Sequence, residues 1–140
     1  MTMTGEYRHT IDGKGRLFIP SKLREELGDT VYLTKGFDNC VAVYSCENWK
    51  EIENRLREWP ATKARGLQRS LCSKARPCDI DSQGRIVVPQ QLREYANLQN
   101  DAVILGVTSR AEIWNAEAWD KIDNEFTSAD MEDIMAEMGF

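Results

Sequence analysis

The run Asp12-Gly-Lys-Gly-Arg16-Leu-Phe-Ile-Pro20 returns later in the chain as Asp81-Ser-Gln-Gly-Arg85-Ile-Val-Val-Pro89, and Leu23-Arg24-Glu25 returns in step as Leu92-Arg93-Glu94. After a short insertion the echo continues, with Val43-Tyr44, Glu47, Trp49 and Ile52 answered by Ile113-Trp114, Glu117, Trp119 and Ile122. One chain therefore holds two copies of one unit. A unit this short cannot cover its own apolar faces, so the two halves are expected to complete one another. The length of 140 residues, 41% of them hydrophobic, suits about one compact domain with a buried core.

Residues 6–11 and 16–19 are rich in strand formers and flank Asp12-Gly-Lys-Gly, where glycine supplies positive φ without steric cost, so a hairpin is expected. Pro20 cannot continue a ladder, but its fixed φ suits the start of a helix over 21–27. Strands at 31–34 and 41–44 follow. The helix expected over 47–59 places Trp49, Ile52, Leu56 and Trp59 on a packed face, the tryptophans as core, while Lys50, Glu51, Asn54 and Arg57 look outward. A second helix over 62–73 has Leu67 and Leu71 on a narrow apolar side. Strands at 78–80, 85–88, 103–105 and 112–114 and a helix over 117–126 repeat the pattern. In the tail, Met131, Ile134, Met135 and Met138 fall at helical spacing, with Thr127 or Ser128 available as cap. An acidic amphipathic helix this short is marginal alone, so it docks on its own assembly or frays. The expected organisation is copy one at 5–53, a basic helical linker arm at 54–76, copy two at 77–122 and an acidic amphipathic tail at 123–140.

Several function classes lose support. The first residues lack an apolar leader, and the longest apolar stretch, 102–107, is too short to cross a bilayer, so the expectation is a cytoplasmic protein with no membrane partner. Cys40, Cys46, Cys72 and Cys78 form two C-x5-C pairs without the close spacing of a zinc site, so reduced thiols, no metal and no cofactor are expected. His9 is the only histidine, no phosphate-cradling glycine motif occurs, and Asp12 and Asp81 are repeats of one position rather than a local dyad. No catalytic residue, enzyme activity or small-molecule substrate is expected. The net charge of −5 is unevenly spread: Arg55, Arg57, Lys63, Arg65, Arg69, Lys74 and Arg76 stand against Glu58 alone in the middle, whereas the stretch from Glu117 onward is strongly acidic. A surface divided by sign can hold an anionic partner on one face, although a solvated basic helix and a solvated acidic tail account for the same pattern.

The repeated D-x-x-x-R is the best candidate for function. It sits on a tight turn and ends in a planar guanidinium that can bond a phosphate or reach the O6 and N7 acceptors of guanine in a major groove. An aspartate four residues earlier can accept turn amides or brace that arginine. The competing reading is that Asp12 and Arg16 merely pair with each other at the surface, where such pairs contribute little.

Two ordered copies of this motif, each running into Pro and joined by a basic arm, resemble the MraZ family of bacterial transcription regulators. The resemblance covers about residues 5 to 122 and rests on Gly5-Glu-Tyr, both Asp-x-x-Gly-Arg turns, Ile-Pro-Ser-Lys-Leu-Arg-Glu, Leu-Thr-Lys-Gly and Glu112-Ile-Trp114. It implies an α+β fold, a tandem AbrB-like swapped-hairpin β-barrel with flanking helices, assembled into a ring of protomers. It further implies a nucleoid-associated DNA-binding regulator, usually a repressor, acting on the division and cell-wall gene cluster that includes its own promoter. The DNA target would be spaced G-rich direct repeats met by several protomers. Carried onto this chain, the DNA-reading residues are Arg16 and Arg85, with Asp12 and Asp81 holding each turn and Gly15 and Gly84 permitting its shape.

The two copies differ in one respect. Lys14 and Lys22 accompany Arg16 in copy one, whereas Gln83 and Gln91 replace them beside Arg85. Copy one is therefore expected to carry most of the phosphate attraction, with Lys14 and Lys22 in contact, while Arg24 and Arg93 are assigned structural roles. Two other readings compete: an AbrB-like antitoxin whose tail wraps a toxin, and a non-catalytic ring scaffold whose tail recruits a protein partner.

Overall fold

In the computed structural model, which describes residues 2–140, the two copies interlock strand by strand. Copy one supplies β1 (Glu6–Thr10), β2 (Arg16–Phe18), α1 (Ser21–Leu27), β3 (Thr30–Lys35), β4 (Val41–Ser45) and α2 (Cys46–Glu58), and α3 (Ala61–Cys72) follows. Copy two supplies β5 (Arg76–Asp79), β6 (Arg85–Val87), α4 (Gln90–Tyr95), β7 (Asp101–Gly106), β8 (Ala111–Asn115) and α5 (Ala116–Glu125), before a last helix, α6 (Ser128–Glu137). Six strands form one antiparallel sheet in the order β1-β7-β8-β4-β3-β5. Exchange the copies and the same order is read from the opposite edge. β1 lies on β7 of the other copy, with Tyr7 opposite Ile104, and β5 lies on β3, with Cys78 opposite Val31. The copies meet at the centre where β4 pairs β8, Val41 facing Ile113.

The expected hairpin is exchanged in the same way. β1 and β2 share a closing backbone bond, Asp12 N–H to Arg16 O at 3.2 Å, but β2 builds its ladder with β6 of the other copy. The backbone continues the exchange, since Ile19 N–H donates to Gly84 O and Val88 N–H donates to Gly15 O, each at 2.8 Å. Each ribbon strand thus ends on the turn of the other repeat.

The α+β class holds, but the closed barrel implied by the resemblance does not. The described residues form an open six-stranded sheet with β1 and β5 at its edges, and β2 and β6 form a separate two-stranded ribbon. The physical reason lies in strand length. β2 and β6 are three residues each, they run into Pro20 and Pro89 within two residues, and proline donates nothing to a ladder. Having paired with each other, they have no further length with which to bridge β1 to β5.

The core lies between ribbon and sheet. Leu17 and Ile86 face each other across the ribbon and are buried, as are Leu23 and Leu92 on the short helices and Val31, Leu33, Ile104 and Ile113 on the sheet. Trp49 is buried and stacks on Tyr32 at 5.5 Å between ring centroids. Helices α2 and α5 start alike: the Ser45 and Asn115 side chains accept the amides of Asn48 and Ala118, which satisfies helix-start donors that the backbone leaves unpaired. Trp59 departs from the core assignment. It caps the C-terminal end of α2 directly before Pro60, where the helical face has already left the sheet, and it is 60% exposed. Leu67, on α3, is likewise half exposed, although α3 itself is anchored by the Thr34 hydroxyl donating to Leu71 O at 2.6 Å.

Thr127 caps α6 through a reciprocal pair: its hydroxyl accepts the Asp130 amide and its own amide donates to the Asp130 carboxylate. No side chain of α6 is buried. Among the described residues no helix is long and apolar enough to cross a membrane.

Because Leu17 and Ile86 are one cross-copy pair in a dry layer, either replacement by alanine removes contacts from both repeats. Leu17→Ala or Ile86→Ala is expected to lower unfolding free energy by about 2–5 kcal/mol in urea denaturation, the range for large apolar side chains cut to alanine in a core. The double variant should fall short of the sum of the singles, since each single already loosens the same contact.

Candidate nucleic-acid interface

Residues on a strand alternate between faces, and directly opposed residues share a face. In the ribbon Arg16 stands opposite Val87, Leu17 opposite Ile86 and Phe18 opposite Arg85. Leu17 and Ile86 point inward, so Arg16, Phe18, Arg85 and Val87 share the outward face. Arg16 and Arg85 keep 40% and 36% of their side-chain surface in solvent, and Val87 keeps 54% of its residue surface. The register makes the two arginines diagonal neighbours, a relation that spans about 7–8 Å. Arginines that lie far apart in sequence are thereby brought onto one face of a single ribbon.

Each turn is built by its aspartate. Asp12 Oδ1 accepts the amides of Lys14 and Arg16 at 3.0 and 2.9 Å, while Oδ2 accepts Arg16 Nε at 2.6 Å. Asp81 repeats the pattern with Gln83, Arg85 and Arg85 Nε at 2.9, 2.9 and 3.2 Å. The competing reading of Asp12 and Arg16 as a pair is thus geometrically present, but the carboxylate does more: it folds the turn and holds the guanidinium by one edge. Only Nε is engaged. Among the described residues no protein group bonds the Nη atoms of Arg16 or Arg85, so their forks remain available to an acceptor from outside.

Gly15 and Gly84 have φ of +83° and +81°, in the region that favours glycine. Both are also packed from behind by the other copy. A Cβ on Gly15 would meet Arg93 Nε and Val88 O at 2.8 Å, and one on Gly84 would meet Arg24 Cζ and Phe18 Cε1 at 2.9 Å. Arg93 Nε donates to Val88 O at 3.0 Å and Nη1 reaches Gly13 O at 3.5 Å, so Arg93 of copy two supports the turn of copy one. Arg24 does the converse beneath Gly84, with its guanidinium 5.3 Å from the Phe18 ring centre and its Nε buried without a partner. The structural assignment of Arg24 and Arg93 gains a specific content here: each braces the opposite repeat.

Lys14 sits at the tip of the first turn and Lys22 on the first turn of α1, both exposed, with Gln83 and Gln91 in the matching places. Sequence reasoning missed Phe18 and Val87 as members of the outward face, because only the exchanged register reveals them. The exchanged fold also brings in His9, whose ring packs edge-on against Phe18 at 5.1 Å. Among the described residues no group of three or more histidine, cysteine, aspartate or glutamate side chains is placed to hold a metal. Burial pushes the Cys40 thiol up to about 12, which makes it a poor nucleophile.

A family model described as "MraZ protein, putative antitoxin-like" matches residues 2–70 and again 71–139. Each matched stretch contains one D-x-x-x-R turn. The chain is 48% identical to a protein of Thermoanaerobacter sp. (strain X514) over 94% of this chain and 93% of that one, and 48% identical to one of Heliobacterium modesticaldum (strain ATCC 51547 / Ice1) over 93% and 92%. It is 46% identical to one of Alkaliphilus oremlandii (strain OhILAs) over 96% and 97%. All three bear the name "Transcriptional regulator MraZ".

Both turn carboxylates titrate below the ordinary 3.8. Asp12 falls to about 2, first because it accepts the Arg16 amide and second because it accepts the Arg16 guanidinium; Asp81 falls for the amides of Arg85 and Gln83 and, less, for the Arg85 guanidinium. A lowered folded-state pKa contributes stability above the ordinary value and loses it as pH falls through the folded one, here between about 4 and 2 for the first turn. In a carboxyl NMR titration Arg16→Ala should therefore raise the Asp12 midpoint only part of the way, because the residue 16 amide survives. Recovery of the full ordinary value would show that the side-chain pair, not the turn, sets the shift. A thermal melt should separate the glycines: Gly15→Ala is expected to destabilise more than Gly84→Ala, since its new methyl meets a backbone carbonyl as well as an arginine, whereas the methyl on Gly84 meets side chains alone.

Proposed function

We propose, from the premise that this chain belongs to the MraZ family and is a transcriptional regulator, that it binds double-stranded DNA sequence-specifically through the outward ribbon face. A transcriptional regulator is not a class of enzyme. On this reading Arg16 and Arg85 read base edges, Lys14 and Lys22 bind phosphates, and Asp12, Gly15, Asp81 and Gly84 hold the turns in shape. The observation that carries it is the placement of both motif arginines on one solvent-facing ribbon with their forks unspent.

A two-stranded ribbon fits a major groove, and a guanidinium held at Nε still offers the two Nη groups to an acceptor pair such as guanine O6 and N7. The Asp partner removes the torsional freedom that a long side chain otherwise surrenders on binding. Phe18 and Val87 add apolar surface between the two forks, of the kind that meets a thymine methyl. Copy one, with its two lysines, supplies most of the phosphate attraction.

An overall charge of −5 suits a mechanism in which each protomer binds weakly and several act together. A ring of protomers would engage spaced direct repeats, later contacts forming at high effective concentration. The target in this proposal is the promoter of the division and cell-wall gene cluster, upstream of the protein's own gene, with repression as the outcome and a cytoplasmic, nucleoid-associated location. Residues 5–53 and 77–122 act as the two reading copies, 54–76 as the basic arm and 123–140 as the tail.

Fluorescence anisotropy with the duplex directly upstream of the protein's own gene tests this. Arg16→Ala is expected to weaken binding more than Arg85→Ala, and the double variant to lose specific binding while keeping its fold and assembly. If neighbouring protomers together touch about six phosphates, affinity should drop on the order of a thousandfold or more between 50 and 200 mM salt. A flat salt response, or equal binding by wild type and double variant, would refute the assignment.

A further inference from the structure

We propose that the apolar groove between α2 and α3 receives α6 of a second copy of this chain. The groove, about 400 Å³, is lined by Ile52, Leu56, Trp59, Leu67 and Leu71, with Arg55 and Lys63 among its polar lining. It is a built feature rather than a frayed one. Gln68 donates to Leu56 O at 2.9 Å and ties α3 to the end of α2, while the Thr34 hydroxyl ties α3 to the sheet through Leu71. Trp59 and Leu67 nevertheless stand 60% and 50% exposed along it.

The occupant is argued from charge, length and chemistry. α3 carries Lys63, Arg65 and Arg69 and no acid, whereas α6 carries Asp130, Glu132, Asp133 and Glu137 and no base. α6 and its C-cap expose Met131, Ile134, Met135 and Met138 at the spacing that makes one apolar stripe. Flexible methionines fill an irregular groove well. Ten residues of α6 span about 15 Å and twelve of α3 about 18 Å, so the stripe and the groove match in length. No residue of the chain's own α6 lines the groove.

Groove and tail are different patches, so the contact is head-to-tail: every copy offers one of each, and successive copies close into a ring or extend as a filament. One helix in one groove is smaller than the roughly 800 Å² per partner of a standard interface, so a single contact is weak and closure of the ring makes it persist. The inference deepens the self-association used in the proposed function and does not rest on DNA binding.

The test uses full-length chains and mass by light scattering after size-exclusion chromatography. Leu67→Asp breaks the groove and Met135→Asp breaks the tail; both positions are exposed, and circular dichroism checks that the fold is kept. Wild type is expected at several multiples of 16.0 kDa and each variant alone at one. In sedimentation equilibrium at millimolar chain concentration, where even one unclosed contact is populated, an equimolar mixture of the two variants should form a two-chain species, because one sound tail meets one sound groove and neither partner can extend further. Wild-type mass for either variant, or a mixture that stays single-chain, overturns the proposal. A wild type that is itself single-chain also overturns it, and points to the chain's own tail or another protein's acidic helix as occupant. Loss of DNA binding in Arg16→Ala, Arg85→Ala with assembly intact leaves this contact standing, whereas loss of assembly in Leu67→Asp with residual DNA binding by single chains separates the two readings in the other direction.

Discussion

The pairing of β2 with β6 across the two copies is the interaction on which the remainder of the structure depends. Three residues from each repeat form this ribbon, and its inward pair, Leu17 and Ile86, seals the core against the sheet. Its ends are bonded into the opposite turns through Ile19 and Val88. Were each short strand to fold back on its own repeat, each copy would lose its partner's closing bonds and leave an apolar face in water. Exchange lets short strands that could not stand as isolated hairpins share one dry layer.

The turns show how little material is needed to fix a long side chain at a surface. One carboxylate accepts two backbone amides and one guanidinium edge, and the other repeat supplies an arginine behind the glycine. Exposed ion pairs of this kind add little stability individually. Their contribution here is to conformation: a guanidinium tethered at Nε points its remaining donors in a defined direction. The same carboxylate titrates low chiefly because of the amides, so folding of the turn and ionisation of the aspartate support each other.

Much of this was legible in the sequence because the repeat constrains it twice. The helix over Ser21–Leu27, the Thr127 cap and the turn chemistry of Asp12 and Asp81 follow from proline, threonine and aspartate acting on their own neighbours, and local chemistry transfers directly from sequence. Exchange between the copies is implied by the swapped hairpins of the resemblance, and periodicity by itself does not give it. Hydrophobic alternation identifies β1 and β2 as strands but carries no label saying that their ladders run to β7 and β6, and the resemblance suggested a closure that three-residue strands cannot reach. Phe18 and Val87 joined the candidate face only once that register was known. Spacing alone assigns Trp59 to the core, but its place at a helix end beside Pro60 leaves it 60% exposed.

Joining both repeats in one chain has a consequence for symmetry. Two separate identical subunits interlocked this way would present a ribbon that looks the same from either end, and no mutation could change one end without the other. Here each end is encoded by its own codons, and the ends have diverged: Lys14 tips the first turn where Gln83 tips the second, while Lys22 follows the strand that ends at the second turn and Gln91 the strand that ends at the first. The two ends are therefore free to differ, and exchange of the strands gives each of them one lysine and one glutamine beside its arginine instead of gathering both lysines at one end.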